Sequence, residues 1–133
     1  MSDIEELKKL KARYFRFLDT KQWERWQSLF TDDAIGDFGD IAEGTMHGSQ
    51  AIVDSVKPLL SDATSVHHGH MPEIEIIDEN RATGIWAMED VVEHPNFHVH
   101  GYGHYHEEYL KVDGEWKISR IMLTRLKLDF TPR

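Results

Sequence analysis

Three histidines within four positions are the first residues in this sequence whose types and spacing could do chemistry. They are His67, His68 and His70, in the stretch "SVHHGHMPEIEI", which continues as an alternation of apolar and polar residues typical of a β-strand. A histidine can act as a general base near neutral pH, or bind a transition metal through a neutral ring nitrogen. Because side chains alternate between the two faces of a strand, we expect His67 on one face and the other two on the opposite face.

A second group of histidines follows in "FHVHGYGHYHEEYLK", where the same alternation predicts a long strand that its two glycines could bend. Four of them share one parity and would lie on one face of a flat strand: His98, His100, His104 and His106. Three interpretations of this face stay open. The histidines could bind a metal, or one of them, His104, could be catalytic. They could also lie on the outer side of the sheet, at a subunit interface with Tyr102 and Tyr105.

Apolar residues that recur at three- and four-residue steps predict helices in the first part of the chain. The first helix is expected over residues 3–18, with Ser2 or Asp3 as its N-cap and acidic residues in its first turn. A second, short helix is expected over residues 21–30, where two tryptophans and a phenylalanine fall on one side. The segment "TDDA" is expected to end it.

The rest of the chain changes from helical to strand-like spacing. Residues 34–47 contain several glycines, which indicates short strands and turns, and residues 48–60 predict a third helix with Ser49 as its cap. From residue 64 the period is two, and four strands are expected at 64–77, 81–94, 97–111 and 116–130. Helices followed by hairpin-connected strands indicate an α+β fold with an antiparallel sheet. A curved sheet wrapped by three helices would enclose a pocket.

Length and composition indicate the class of protein. A chain of 133 residues with 40% apolar and 29% charged residues predicts one globular domain over 1–133. With a formal net charge of −9 and no basic cluster, nucleic acid is not expected as a partner. The chain contains no cysteine, which excludes disulfides and thiolate chemistry. No signal peptide and no apolar run of roughly 20 residues are visible, so we expect a cytoplasmic protein that does not bind a membrane.

The order of three helices and four long strands, together with three motifs, resembles the SnoaL-like branch of the NTF2-like superfamily. The motifs are "YFRFLDTKQWERWQSLFTDDA", "HGSQAI" and "YLKVDGEWKIS", and the resemblance covers essentially the whole chain. It implies an α+β, cone-shaped barrel in which three N-terminal helices pack on a curved, mainly antiparallel sheet around an apolar cavity. Members include scytalone dehydratase, hexachlorocyclohexane dehydrochlorinase, bile acid 7α-dehydratase, polyketide cyclases and Δ5-3-ketosteroid isomerase.

The resemblance also implies which residues would form an active site. Asp19, in "LDT", matches the active-site aspartate of the dehydratase-like members, and His67, in "SVHHG", matches the histidine that partners it. Tyr14 matches a tyrosine that faces the cavity, and Asp90, in "AMEDVV", matches a further acid of bile acid dehydratase. His104 lies on the strand that carries a second histidine in scytalone dehydratase.

Two further expectations concern the late part of the chain. If Trp86 and Met88 point inwards, Asp90 does too, and a carboxylate buried in this way needs a partner. Arg125 is the candidate for a late-strand arginine of the family.

The best-known lyases and isomerases of the family need no metal or cofactor, so none is expected here. The family also implies a homodimer, with a trimer as the alternative.

A histidine beside a buried aspartate in an apolar cavity can act as a general base. The carboxylate orients the ring and stabilises the imidazolium that forms on proton abstraction. In this scheme His67 is the base, Asp19 orients it, and Tyr14 donates to the developing oxygen charge. Asp90 or His104 would be a secondary acid. The expected activity is that of a cofactor-independent, dehydratase-like lyase or an isomerase acting on a small, apolar, ring-containing substrate. The alternative is a non-catalytic small-molecule-binding or dimerisation module.

Overall fold

Three helices and six strands form the described part of the chain. The computed structural model describes residues 1–39 and 44–133. The helices are α1 (Asp3–Asp19), α2 (Trp23–Gln27) and α3 (Ser49–Leu60). The strands are β1 (Phe30–Asp37), β2 (Met46–His47), β3 (Thr64–Asp78), β4 (Arg81–His94), β5 (Phe97–Val112) and β6 (Glu115–Pro132).

The six strands form one mixed sheet in the order β2-β1-β6-β5-β4-β3. Neighbouring strands run antiparallel except β1 and β6, which are parallel. Helices α1 and α3 pack against the sheet and bury the core between the two layers. The predicted α+β class with a mainly antiparallel sheet is confirmed, and the sheet of the expected cone is open rather than closed.

Helix α1 begins and ends within one residue of its predicted boundaries. Ser2 Oγ accepts a hydrogen bond from the Glu5 backbone N–H at 3.2 Å, so Ser2 is the N-cap. The helix buries most of its apolar residues, including Leu7, Leu10 and Leu18, in the core. Among the described residues, no helix is both long and apolar enough to cross a membrane.

The prediction of a second helix over residues 21–30 is wrong at its C-terminal end. Helix α2 ends at Gln27, and Phe30 begins β1, which also contains the segment "TDDA". Phe30 pairs with Ile118 of β6, and its ring centroid lies 5.1 Å from that of Trp26. The spacing of these aromatic residues resembles that of a helix because they pack together in the core. Residue 30 is nevertheless in a strand, because its backbone pairs with β6.

Helix α3 starts at Ser49, but Ser49 is not its cap. Gly48 occupies the N-cap position at φ 97°, a conformation that glycine adopts without strain. Ser49 Oγ instead accepts a hydrogen bond from Gln27 Nε2 at 3.3 Å. The segment predicted as short strands and turns over 34–47 contains the second half of β1 and all of β2, and its residues 40–43 lie outside the described residues.

Burial alternates along the two central strands and defines two faces of the sheet. The even-numbered residues of β4 from Ala82 to Val92 are buried, as are the odd-numbered residues of β5 from Val99 to Tyr109. We call this side, which packs on the core, the inner face, and the opposite side the outer face. Trp86, Met88 and Asp90 therefore lie on the inner face, and the four β5 histidines lie on the outer face.

A buried ion pair joins α1 to β5 within the core. Lys11 Nζ lies 2.5 Å from Glu107 Oε2, and both side chains are buried. The other Glu107 oxygen accepts a hydrogen bond from Tyr109 OH at 2.5 Å, and Tyr109 accepts one from Trp86 Nε1 at 3.0 Å. Burial lowers the pKa of Lys11 to about 8, against the opposing effect of Glu107. Each charge depends on its partner, because neither has access to water.

Replacement of Lys11 by methionine is expected to lower the free energy of unfolding by about 3–5 kcal/mol, because it leaves the Glu107 carboxylate buried without a cation. Urea denaturation followed by circular dichroism measures this loss. The double variant Lys11→Met/Glu107→Gln is expected to recover part of it, since glutamine carries no charge and can still accept the hydrogen bond from Tyr109.

Lys8→Met is the matched control, because Lys8 lies on the same helix but is exposed and only loosely paired with Glu5, at 3.7 Å. Its expected change in unfolding free energy is below about 0.5 kcal/mol. Equal losses for Lys8→Met and Lys11→Met would contradict the role assigned to the buried pair. So would a double variant that loses at least as much as Lys11→Met alone.

Candidate active site

Asp19, the last residue of α1, is in direct contact with His67 near the start of β3. Its Oδ1 lies 2.6 Å from His67 Nδ1, and its Oδ2 accepts a hydrogen bond from the His67 backbone N–H at 2.8 Å. Ser65 Oγ donates a further bond to Oδ1 at 3.0 Å. The side chains of His67 and Asp19 are 8% and 20% exposed. The structure thus brings together the two residues that the resemblance pairs, with the carboxylate bound to both ring and backbone.

This contact selects the orientation and the tautomer of the imidazole ring. An ionised carboxylate can only accept hydrogen bonds, so Nδ1 carries the proton and Nε2 remains as the basic nitrogen. His67 lines a cavity of about 70 Å³ between the helices and the inner face. On the same scale, a cavity that holds one water molecule has a volume of roughly 10–15 Å³. The cavity therefore has room for a small organic molecule beside the imidazole.

The cavity wall is mainly apolar. Its apolar side chains come from all three helices, the segment after β1, and two strands: Leu18, Trp26, Phe38, Val56, Leu59, Leu60, Val92 and Leu123. Its polar or charged side chains are Tyr14, His67, Asp90, Tyr105 and Arg125. A few polar groups in an apolar wall are typical of sites that bind and orient small molecules.

Asp90 lies across the β3–β4 pair from His67 and is held by Arg125. His67 and Asp90 are Cα partners in the sheet register. Arg125 donates from Nη1 to Asp90 Oδ1 at 2.7 Å and from Nη2 to Oδ2 at 2.9 Å, and Asp90 is 3% exposed. This bidentate bond supplies the partner that a buried carboxylate requires. With both oxygens engaged, Asp90 is better placed to orient Arg125 than to transfer a proton.

Tyr14 and Tyr105 present two phenols to the same cavity. Their ring centroids are 5.8 Å apart, and the Lys11 ammonium lies 3.7 Å from each centroid. Burial raises the pKa of both phenols well above the ordinary tyrosine value, and the negative charge of Glu107 adds to the effect. Both phenols therefore stay protonated at neutral pH and can donate hydrogen bonds.

His104 does not belong to this site, so the prediction of a secondary acid at that position is wrong. It lies on the outer face, opposite Ala87 and Thr124, and its ring centroid is 6.4 Å from that of His106. The alternation of the strand decides this, because the next residue, Tyr105, is the buried one. The expectation that Tyr105 lies on the outer side of the sheet is wrong for the same reason.

Gly101 is a residue whose role the sequence did not reveal. A Cβ atom at this position would lie 1.9 Å from Arg125 Nη1 and 2.6 Å from Asp90 Oδ1. The Asp90–Arg125 pair therefore fits only because residue 101 has no side chain. A glycine inside a strand often marks such a close approach. The sequence therefore contained the signal, but it did not indicate that the Arg125 guanidinium is the group that approaches.

Within the described part of the chain, Trp26 carries a buried polar atom whose lack of a partner its helical spacing did not indicate. The residue is fully buried and lines the cavity. Its Nε1 has no hydrogen-bond partner among the described residues. Buried donors without a partner are uncommon in proteins because they cost free energy. An oxygen acceptor on a ligand would satisfy this donor if it reached Nε1.

One protein-family model covers most of the chain. The model of the SnoaL-like domain matches residues 1–122. The chain is also 28% identical over 134 residues to "Probable cyclase FGR4" of Gibberella zeae, with 90% of this chain and 89% of that protein covered.

Two crystal structures are similar to this chain over nearly its whole length. A Novosphingobium aromaticivorans protein named as a candidate scytalone dehydratase has a TM-score of 0.87 at 19% identity, with 96% of this chain and 86% of that one covered. Hexachlorocyclohexane dehydrochlorinase LinA-type3 of Novosphingobium barchaimii has a TM-score of 0.77 at 24% identity, with 97% and 88% covered. These similarities show the fold, which is the NTF2-like α+β cone.

Gly101→Ala is expected to lower the free energy of unfolding by about 1–3 kcal/mol, because the new methyl group overlaps the Arg125–Asp90 pair. Urea denaturation measures this loss. In an Arg125→Ala background the same substitution is expected to cost less, since the closest overlapping group is gone. Equal losses in both backgrounds would show that Gly101 is not there to accommodate the guanidinium.

Proposed function

The chain belongs to the SnoaL-like family, and from this premise we propose that it is a cofactor-independent lyase of the dehydratase type or an isomerase. The substrate class is a small, mostly apolar, ring-containing molecule that carries a carbonyl or hydroxyl group. The observation that carries the proposal is the 2.6 Å contact between His67 Nδ1 and Asp19 Oδ1 at the wall of an apolar cavity.

His67 is the general base of the proposed reaction. Its Nε2 removes a proton from the carbon next to a carbonyl group, and the ring becomes an imidazolium. Asp19 stabilises this cation through Nδ1, and the apolar surroundings strengthen the attraction between the two charges. Ser65 and the His67 backbone N–H hold the carboxylate in place during the transfer.

Tyr14 and Tyr105 supply donors for the negative charge that develops on the carbonyl oxygen. Both phenols line the same cavity as the base, and their raised pKa values keep them protonated. The Lys11 ammonium, which is paired with Glu107, lies beside both rings and helps to fix their positions. Arg125, oriented by Asp90, places a guanidinium group at the cavity wall.

The proton removed by His67 can leave the site in two ways. In a dehydration, the electron pair of the broken C–H bond forms a C=C bond while the C–O bond to a β-hydroxyl group breaks. The proton on Nε2 then departs with the hydroxide as water. In an isomerisation, the proton returns from Nε2 to a different carbon of the dienolate. Both outcomes begin with the same step, and neither changes the oxidation state of the protein.

The relatives support this reaction class. A dehydratase removes water, and a dehydrochlorinase removes hydrogen chloride. The Gibberella zeae relative is named as a cyclase, and a ring closure in which a carbanion next to a carbonyl group attacks a second carbonyl carbon begins with the same step. Removal of a proton from carbon is the step that these reactions share, and a His–Asp pair in an apolar cavity is suited to it.

A non-catalytic binding module is the alternative function of the same fold. Such a module needs an apolar cavity, but it has no need of a base that is oriented by a carboxylate. Charged groups at a cavity wall also reduce stability relative to apolar ones of similar shape. The close His67–Asp19 contact therefore favours the enzyme.

Exchange of carbon-bound hydrogen tests the base without the natural substrate. We expect the protein to accelerate deuterium uptake at the α-carbons of small cyclic ketones in D₂O, such as cyclohexanone and 3-hydroxycyclohexanone. His67→Ala is expected to abolish this acceleration, and Asp19→Asn to reduce it by about 10²–10⁴-fold. Proton NMR measures the exchange, and ultraviolet absorbance measures the enone that forms if the hydroxyl group is eliminated.

His104→Ala is the matched control, because it removes the same side chain from the outer face. It is expected to keep wild-type exchange. Wild-type rates in both His67→Ala and Asp19→Asn would contradict the mechanism. Ketones that raise the melting temperature of the wild-type protein without undergoing exchange would support the binding module instead.

A further inference from the structure

Two histidines and a glutamate converge on the outer face of the sheet, opposite the cavity. His68 and His70 are separated by one residue on β3, so both side chains project from the same face. Glu89 of β4 is the Cα partner of His68. One ligand atom from each of these residues lies within 4.8 Å of the other two.

We propose that His68, His70 and Glu89, which we call the outer-face trio, bind a divalent transition-metal ion with the ligand preferences of Zn²⁺. Zinc accepts two imidazole nitrogens and one carboxylate oxygen, and leaves a fourth position for water. The sheet separates this site from the cavity. The metal site is therefore independent of the proposed lyase or isomerase activity and can be tested without a substrate.

The sheet register brings the outer-face trio together. His68 lies directly opposite Glu89, while His70 lies opposite Ala87 and therefore diagonal to Glu89. The small side chain of Ala87 leaves space into which the His70 ring can lean towards the carboxylate. The two imidazole centroids are 6.1 Å apart and their planes are inclined by 81°. The rings are not stacked, so a nitrogen of each can turn towards a common point.

Glu89 is already held in position from the other side. Its Oε2 lies 2.7 Å from Nε2 of His100 on β5. His100, and to a smaller extent Tyr102, lower the pKa of the Glu89 carboxyl group. A glutamate side chain is ordinarily ionised at neutral pH, as a metal ligand must be. Hydrogen-bond partners of this kind orient carboxylate ligands in metal sites.

To bind a metal ion, the three ligand atoms of the outer-face trio would need to move only slightly closer together. Zinc–nitrogen bonds of about 2.0–2.1 Å place the ligand atoms of a tetrahedral site roughly 3.3 Å apart. The present separations of up to 4.8 Å can shorten by side-chain rotation. His68 and His70 are exposed. Neither ring is hydrogen-bonded to another described side chain, so their rotation breaks no hydrogen bond between side chains.

The histidines of β5 lack an equivalent set of ligands. His104 and His106 have ring centroids 6.4 Å apart, but His106 Nε2 is hydrogen-bonded to Thr124 Oγ1 at 3.0 Å. Within the described part of the chain, no carboxylate joins this pair in a group with metal-ligand spacing. Of the two groups of histidines for which the sequence raised metal binding, only the one on β3 has two histidines grouped with a carboxylate at metal-ligand spacing among the described residues. The His104–His106 pair provides a matched control.

Calorimetric titration of untagged, chelator-treated protein with ZnCl₂ tests the site. The wild-type protein is expected to bind one Zn²⁺ per chain. His70→Ala and Glu89→Gln are each expected to weaken the Kd at least tenfold, because each removes one ligand. His100→Ala is expected to weaken it about tenfold by releasing Glu89. Circular dichroism confirms that each variant keeps its fold.

His104→Ala is expected to bind Zn²⁺ with the wild-type Kd. Titration with Co²⁺ provides a second readout, because a four-coordinate cobalt site absorbs visible light, and His70→Ala should not produce these bands. The absence of saturable Zn²⁺ binding by the wild-type protein would overturn the proposal. So would binding that is unchanged in both His70→Ala and Glu89→Gln, or binding that only His104→Ala removes.

Discussion

The fold and the candidate active site both depend on the contact between the end of α1 and the first long strand. Asp19 uses both carboxylate oxygens on His67, one on the ring and one on the backbone. A single residue thereby joins helix to strand and orients the imidazole. Because an α-helix is rigid over this length, the same contact also sets the positions of Tyr14 and Lys11 in earlier turns of α1. The helix that orients the proposed base thus also carries a phenol of the cavity wall, Tyr14, and the buried ammonium group of Lys11 beside it.

The need to satisfy buried charges constrains residues that carry no charge themselves. A half-complete buried ion pair costs more than either a complete pair or an apolar replacement. Asp90 therefore requires Arg125, and Arg125 requires the space that Gly101 leaves open. On the other side of Tyr105, the Lys11–Glu107 pair has the same requirement, which the Tyr109 hydroxyl group helps to meet. Two separate buried ion pairs thus lie beside the polar groups of the cavity.

The sequence was informative wherever local pattern and tertiary packing agree. The long strands of the hairpin series and α1 have strong periodicity, and their ends were predicted to within two residues. The segment 21–30 was predicted incorrectly because β1 pairs in parallel with β6, and no local pattern reports a partner so distant in the chain. Tyr105 and Gly101 were missed for a related reason. Their roles follow from the inner face of β5 and from Arg125 on another strand, which become visible only in the folded chain.

Two neighbouring histidines of β3 show how the environment assigns different chemistry to the same side chain. The pleat of the strand sends His67 to the inner face and His68 to the outer face. Each has a carboxylate nearby, Asp19 for the first and Glu89 for the second. In the mainly apolar cavity the attraction between opposite charges is stronger than in water, so a fixed carboxylate favours the proposed base chemistry of His67. On the exposed face, water competes for hydrogen bonds with the His68 imidazole and the Glu89 carboxylate. The proposed metal site therefore also needs His70, which adds a third ligand.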